Sequence, residues 1–478
     1  MNTIQLPAAM RILVNVALSV TLFAASTYCE AMEPPTGHIR TGDVRTEKTK
    51  PSCLEPTVAG PVPQVYDPIS IYRDGRLTLH TDLPPCAAQA TLDEMKLALR
   101  FSEKYWQQRL RGSLECYVAA DASRWPDSAF SHPLARVWID CIGGATVSEQ
   151  VPKSSGQQTK ATLYASTRPG AVRHEIVHAY CCQTFGQSGP DWYDEGLATV
   201  VGYGCHDDRG VQCPQDVLAT LRQKPCLSMH QVFQSKPFTS ATYKSLSLMV
   251  ANRKNLQEQV SLTCWTPTDT ENLAAMRQSY DWSWSFCYLL FHDPNYQDQF
   301  RKLGAAYMAG HRPSYQQVFG VVQQQLAFDY RTFLQHVDLG YRVDLCSWEW
   351  NKTFQKLDGN RPRTRIIKAA HGYQATGVEV VLGQRYNFVA HGNWSTSHNA
   401  STTDANGQLD GAGRLESVVL SDDYQLSKPF ELGTSGIFTA PSAGRLYVRC
   451  RDQWNQLADN QGTLRVSLSQ GRFTKESD

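Results

Sequence analysis

The sequence predicts an α+β part, a small sheet beside a mostly helical remainder, followed by an all-β sandwich or jelly roll. Three observations carry this. Strand-like runs at Leu114–Ala119, Ala135–Asp140 and Ala161–Ser166 come early in the chain. From Gly170 to about Val343 the apolar spacing is mostly helical. After Cys346, Gly, Asn, Thr and Ser rise and short alternating runs appear between turn residues.

The elements follow in chain order. Arg11 precedes an apolar run from Ile12 to Ala25, with small residues and a Cys29-Glu30-Ala31 stretch after it. That reads as a signal peptide over 1–31, too short for a stable membrane span, and no other stretch reaches the roughly 20 apolar residues a span needs. Residues 32–60 read as an extended lead-in or pro-segment. Leu92–Leu110 has helical periodicity. The α+β part is expected over 61–348, and the sandwich over 349–478. Its strands are expected at Gly377–Leu382, Tyr386–Ala390, Ser417–Leu420, Leu446–Cys450 and Thr463–Leu468.

The formal charge is +1 with no long run of either sign, so neither nucleic acid nor an anionic membrane surface is an expected partner. The 14 cysteines in an exported chain point to disulfides and to a secreted or periplasmic place of work. One cysteine lies in the signal, so the 13 left cannot all pair within the chain. Cys205 and Cys213 flank a polar loop that a disulfide could close.

Two motifs carry chemistry. His174-Glu175-Ile176-Val177-His178 places two imidazoles at helical i, i+4 spacing. Four residues advance a helix about 6 Å and return nearly to the same face, so both rings can reach one ion at about 2.0–2.1 Å. Glu175 sits about 100° around that helix. It is expected beside the metal's open position, taking a proton from a coordinated water whose pKa zinc lowers toward about 7. Gly186, Gly189 and Pro190 then allow a reversal. Trp192-Tyr193-Asp194-Glu195-Gly196-Leu197-Ala198 is again helix-compatible, and Glu195 is expected as the third ligand. Gly196 and Ala198 permit close helix approach.

These motifs together resemble the compact bacterial gluzincin metallopeptidases, which combine HExxH with a downstream WxxEGxA-type helix. The resemblance covers Gly170 to Tyr203. It implies a gluzincin-like fold, peptide or protein substrates, Zn2+ on His174, His178 and Glu195, and Glu175 as general base. Thr199 departs from members that carry an aspartate four residues after the ligand glutamate. Asp191 and Asp194 are the candidates to orient a histidine instead, and each is equally a candidate N-cap. In the helix around Ser279–Leu290, Tyr280 is either an oxyanion donor or one of an aromatic packing face. The Ala161–Ser166 strand either presents backbone to an extended substrate or is an ordinary sheet strand.

In the last part, Arg451 to Gly462 forms an acidic, amide-rich loop. Asp452, Asp459 and Asn460 offer the hard oxygens that Ca2+ prefers. Trp454 could stack on a sugar face beside them. Here the sequence resembles the PA-IL-like galactose-binding lectins over about 110 residues, through Ala375–Val378, Val389–Trp394, Ala443–Tyr447 and Asp459–Leu464. That resemblance implies calcium on Asp452, Asp459 and Asn460, with loop carbonyls, and a carbohydrate or glycoprotein partner. The bland alternative is a spacing sandwich with an Asp-Asn turn.

The expectation is therefore a secreted zinc metallopeptidase whose last domain directs it to glycans. The rival is a calcium-dependent carbohydrate-binding protein with an inactive metallopeptidase-like domain. Retention of Glu175 argues against that rival. A purely structural zinc site would need a fourth protein ligand, which the sequence does not offer.

Overall fold

The computed structural model describes residues 69–153, 156–204, 210–223, 226–236, 245, 248, 267–358 and 361–470. The expected signal peptide, the lead-in and Cys205 lie outside the described residues. The chain divides into two compact units, residues up to Ser188 with 240–273, and 189–239 with 274 onward.

The first unit holds a five-stranded sheet: β1 (Ser70–Asp74), β2 (Leu77–Thr81), β3 (Leu114–Ala119), β4 (Gly144–Lys153) and β5 (Gly156–Ser166). The spatial order is β1-β2-β3-β5-β4, so β4 is an edge strand, antiparallel to β5. Helix α1 (Pro85–Trp106) starts with proline in its first turn, where no N–H is needed. It ends at Gln107, whose φ of 53° breaks the helical path. Helix α2 (Ala171–Phe185) carries the HExxH motif and is buried along nearly all its length.

One strand expectation needs correction. Ala135–Asp140 is helical: one α-turn at Ala135–Val137 runs into a π-turn at Trp138–Ile142. Trp138, Ile139 and Ile142 are all buried, which is helical spacing, and the left-handed Gly143 (φ 91°) ends the turn. β1, β2 and β4 were not foreseen, and the polar Ser148, Glu149 and Gln150 hide β4 from a search for apolar alternation.

The second unit begins with α3 (Asp191–Tyr203), α4 (Gln215–Leu221) and α5 (Met229–Phe233), and takes in most of α6 (Pro267–His292). Then come α7 (Gln297–Met308), α8 (Tyr315–Phe319), α9 (Gln323–His336) and α10 (Val343–Cys346). Trp192 anchors α3, its ring 5.0 Å from Phe233 and 5.4 Å from Phe286. Gly196 is where α3 and α6 approach. A Cβ there would stand 2.5 Å from Cys287 Sγ and 2.6 Å from the Ser283 carbonyl oxygen. A backbone carbonyl cannot yield as a side chain can, so Gly196→Ala is expected to cost about 1–3 kcal/mol, read as a lowered Tm of the purified chain.

The β part of this unit is two facing sheets. One runs β11 (Phe430–Glu431), β10 (Leu415–Leu420), β13 (Gly444–Cys450), β8 (Gln374–Val380), β6 (Gln355–Lys356). The other runs β12 (Ser435–Thr439), β9 (Arg385–Ser395), β14 (Gln461–Gln470), β7 (Arg363–Lys368). Val378, Leu415, Val419 and Leu446 from the first share a core with Phe388, Leu464 and Val466 from the second. All five expected strands are present, some longer than expected. β6, β7, β11 and β12 were not foreseen; in β7, Arg363, Arg365 and Lys368 break up the apolar pattern.

The outer face of the first sheet is also covered. Val418, Leu420, Tyr447 and Ala375 form a second core with Phe328 of α9 and with Trp348. β10 is buried on both faces for this reason, and its burial does not alternate along the strand.

Cys116, Cys213, Cys226, Cys287, Cys346 and Cys450 carry free thiols. The expected Cys205–Cys213 closure involves Cys205, which lies outside the described residues. Cys213 is partly buried, and that burial with Asp281 and Asp216 nearby pushes its thiol up to about 12. Among the described residues no helix is long and apolar enough to cross a membrane.

Candidate metal centre

Helix α2 is held at its C-terminal half by Gln183. Its side-chain amide donates to the carbonyls of Arg111 (2.7 Å) and Ser113 (2.8 Å), and its oxygen accepts from the N–H of Ala161 (2.7 Å). Tyr180 donates to the Gln108 carbonyl at 2.6 Å. Gly186, with φ of 77°, closes the helix by donating its N–H to the Cys182 carbonyl. These ties fix both the rotation and the depth of the helix against the sheet.

One ligand atom from each of His174, His178 and Glu195 lies within 4.8 Å of the other two, and all three residues are buried. The two imidazole Nε2 atoms are 3.0 Å apart. Nitrogens bound to one tetrahedral ion at about 2.0–2.1 Å stand roughly 3.3 Å apart, so the pair already has the spacing of two ligands. The group could therefore hold a metal ion, and its N, N, O donor set suits several divalent transition metals.

Glu175 does not belong to that group. It is wholly buried and turns toward the sheet, where the Thr146 hydroxyl donates to Glu175 Oε2 at 2.9 Å. Asp191 and Asp194 occupy the first turn of α3, and Pro190, not either aspartate, is the N-cap residue. Carboxylates in a first turn favour the helix dipole. Burial, with Glu195 and Asp194 beside it, raises the Asp191 carboxyl to about 6. Thr199 donates to the Glu195 carbonyl at 2.7 Å, one turn back along its own helix. Tyr280 is buried on α6.

Asp452, Asp459 and Asn460 also come together. Burial, foremost, and the Asp459 carboxylate raise the Asp452 carboxyl, while a hydrogen bond from Asn460 opposes them. Asp452 Oδ1 accepts from the Gln453 N–H at 2.7 Å, and Asn460 donates to the Ala369 carbonyl at 3.3 Å. Asp452 Oδ2 and Asn460 Oδ1 are buried without a partner. Both are hard oxygens, the ligand type that a cation such as calcium prefers.

Trp454 is not a sugar platform. The Arg449 guanidinium lies 4.0 Å over its ring, and His336 of α9 packs on it at 4.7 Å. Tyr373 adds an edge contact at 5.8 Å and Tyr341 a tilted one at 6.4 Å. The ring joins the loop to α9, and burial with Arg449 pushes His336 down to about 4.

Thr146 and Gly144 beside Glu175 were not foreseen. The only sequence signal for them would have been recognition of β4 as a strand.

No protein-family model matches the chain, and no curated protein matches it. Among solved structures, one that is similar is described as "EclA N-terminal domain; PllA-like lectin", at 19% identity. The match covers 23% of this chain and 95% of that one, with a TM-score of 0.19. A likeness of that strength does not establish a shared fold.

Proposed function

We propose that the chain is a secreted, gluzincin-type zinc metallopeptidase that hydrolyses peptide bonds. The observation that carries this reading is the buried group of His174, His178 and Glu195, with Glu175 one helical position away and outside it. Three protein ligands leave a coordination position open, as catalytic zinc sites do. When bound, zinc would supply Lewis acidity and activate a water for attack on the scissile carbonyl. The chain's own residues do the rest. His174, His178 and Glu195 hold the ion. Glu175, buried and hydrogen-bonded, takes the proton of the attacking water and passes it to the leaving amine. His174, His178, Glu195 and Glu175 are all buried, which strengthens each of these charge interactions.

The test is zinc content and peptide turnover in the same preparations. Purified chain should bind about one zinc and cleave members of a mixed peptide library, and chelation should abolish cleavage. His178→Ala should lose zinc affinity by more than about 100-fold. Removing a mere orienting partner of a ligand costs about 10–100-fold, and losing the ligand itself must cost more. Full zinc occupancy in His178→Ala at micromolar metal would remove the basis of the proposal.

A second reading has its own observation. The orphaned oxygens of Asp452 and Asn460 favour a calcium-dependent carbohydrate-binding role for the sandwich, alone or as the part that directs the peptidase to glycans. The docked Trp454 does not supply the sugar-stacking surface, so hydroxyl–calcium contacts would have to carry recognition. Calcium titration followed by glycan binding, with Asp452→Asn as control, decides this reading independently of peptide turnover.

A further inference from the structure

We infer that Thr146 and Gly144, on the edge strand β4, are positioning residues for Glu175, an assignment that rests on Glu175 being the base of the proposed hydrolysis. Residues two apart on a strand share a face. Here that face meets helix α2, with Gly144 opposite Ala165 and Thr146 opposite Leu163 of β5. Each of the two residues constrains the Glu175 side chain differently.

Thr146 tethers it. Its hydroxyl oxygen is 2.9 Å from Glu175 Oε2 and 3.1 Å from the backbone carbonyl oxygen of the same residue. A hydroxyl has one proton to donate, so the bond is shared between those two acceptors. Both belong to Glu175, and the geometry ties the carboxylate to its own backbone. Thr146 is 1% exposed, so water does not compete for the bond. A hydrogen bond to an ionised carboxylate is among the stronger kinds.

Gly144 makes room for it. A Cβ at that position would lie 3.0 Å from Glu175 Cγ and 3.0 Å from Glu175 Oε1. It would also lie 2.9 Å from the Tyr164 carbonyl oxygen, which belongs to the sheet and cannot withdraw. The side chain that can move is Glu175. Any residue larger than glycine therefore displaces the carboxylate from where Thr146 holds it. Glutamate has three side-chain torsions, and a base set wrong by about 1 Å can cost up to about 100-fold in rate.

The experiment uses Thr146→Val, Thr146→Ser and Gly144→Ala in the full chain. Zinc-loaded protein is assayed on a peptide that the wild type cleaves, and metal-free protein is crystallised. Thr146→Val keeps the volume and removes the donor. It should lower kcat by about 10–100-fold with KM nearly unchanged, and Thr146→Ser should recover most of the loss. The metal-free crystals should show the Glu175 carboxylate displaced in Thr146→Val and Gly144→Ala, and in place in Thr146→Ser. Wild-type kcat in Thr146→Val, or an unmoved carboxylate in both displaced variants, overturns the assignment. A wild-type chain that cleaves no peptide overturns the peptidase reading by itself, and the crystals then still decide whether these residues set Glu175.

Discussion

Glu175→Gln is expected to retain the bound metal and to lose peptide turnover by roughly 10²–10⁴-fold, the range a positioned general base contributes. The substitution suits the site because it alters so little else. Gln has nearly the same shape, and its side-chain oxygen can still accept from the Thr146 hydroxyl at the place where Glu175 Oε2 accepts now. The metal should stay, since the three clustered ligand atoms come from His174, His178 and Glu195. Thermal stability should change little, because a wholly buried carboxylate becomes a neutral amide that keeps its donor. Turnover should fall because the amide cannot take a proton at neutral pH. Metal analysis and kinetics on one preparation separate the outcomes. Near-wild-type turnover in a zinc-loaded variant would remove Glu175 from the chemistry. Loss of zinc with turnover would show that the residue supports the metal site and would leave its role as a base without evidence.

What the sequence disclosed and what it hid follow from the range of the interactions involved. The two histidines were legible because helix geometry alone brings residues four apart to one face, whatever the rest of the fold does. Glu195 was legible for a local reason too, since Gly186, Gly189 and Pro190 announce the reversal that separates two helices. The surroundings of Glu175 were not legible. They come from β4, an edge strand with polar residues along part of its length, and an apolar period of two is weak there. Ala135–Asp140 shows the opposite failure. Its apolar run suits a strand, but a short apolar run does not distinguish strand from buried helix, and packing of Trp138 and Ile142 decided it. The sandwich strands were read from alternation, yet β10 alternates between two cores and not between core and solvent. Trp454 is the instructive case. An aromatic next to calcium-type ligands suggests a sugar platform, and only the tertiary structure shows α9 and Arg449 covering it.

That covering interaction rests on Arg449, whose replacement should produce the largest stability loss in the sandwich. Arg449 Nε donates to Glu416 Oε1 at 2.7 Å, with the two side chains only 9% and 11% exposed. Tyr373 donates to the same carboxylate oxygen at 2.7 Å. The other end of the guanidinium donates to the Asp452 carbonyl at 3.2 Å, and its plane lies over Trp454. One side chain therefore neutralises a buried acid, holds the start of the Asp452 loop and supports the ring that meets His336. Arg449→Met keeps much of the packing and strands Glu416 without its counter-charge. Breaking a buried pair from one side costs about 3–5 kcal/mol, because a desolvated charge remains. The double variant Arg449→Met with Glu416→Gln removes that charge, and its amide oxygen can still accept from Tyr373. It should be more stable than the single variant, although it has lost more of the native interaction. Denaturant unfolding of wild type, both single variants and the double variant measures this as a coupling energy. Strict additivity would mean that the pair is not coupled in the folded chain, and that the cost lies in packing on Trp454 alone.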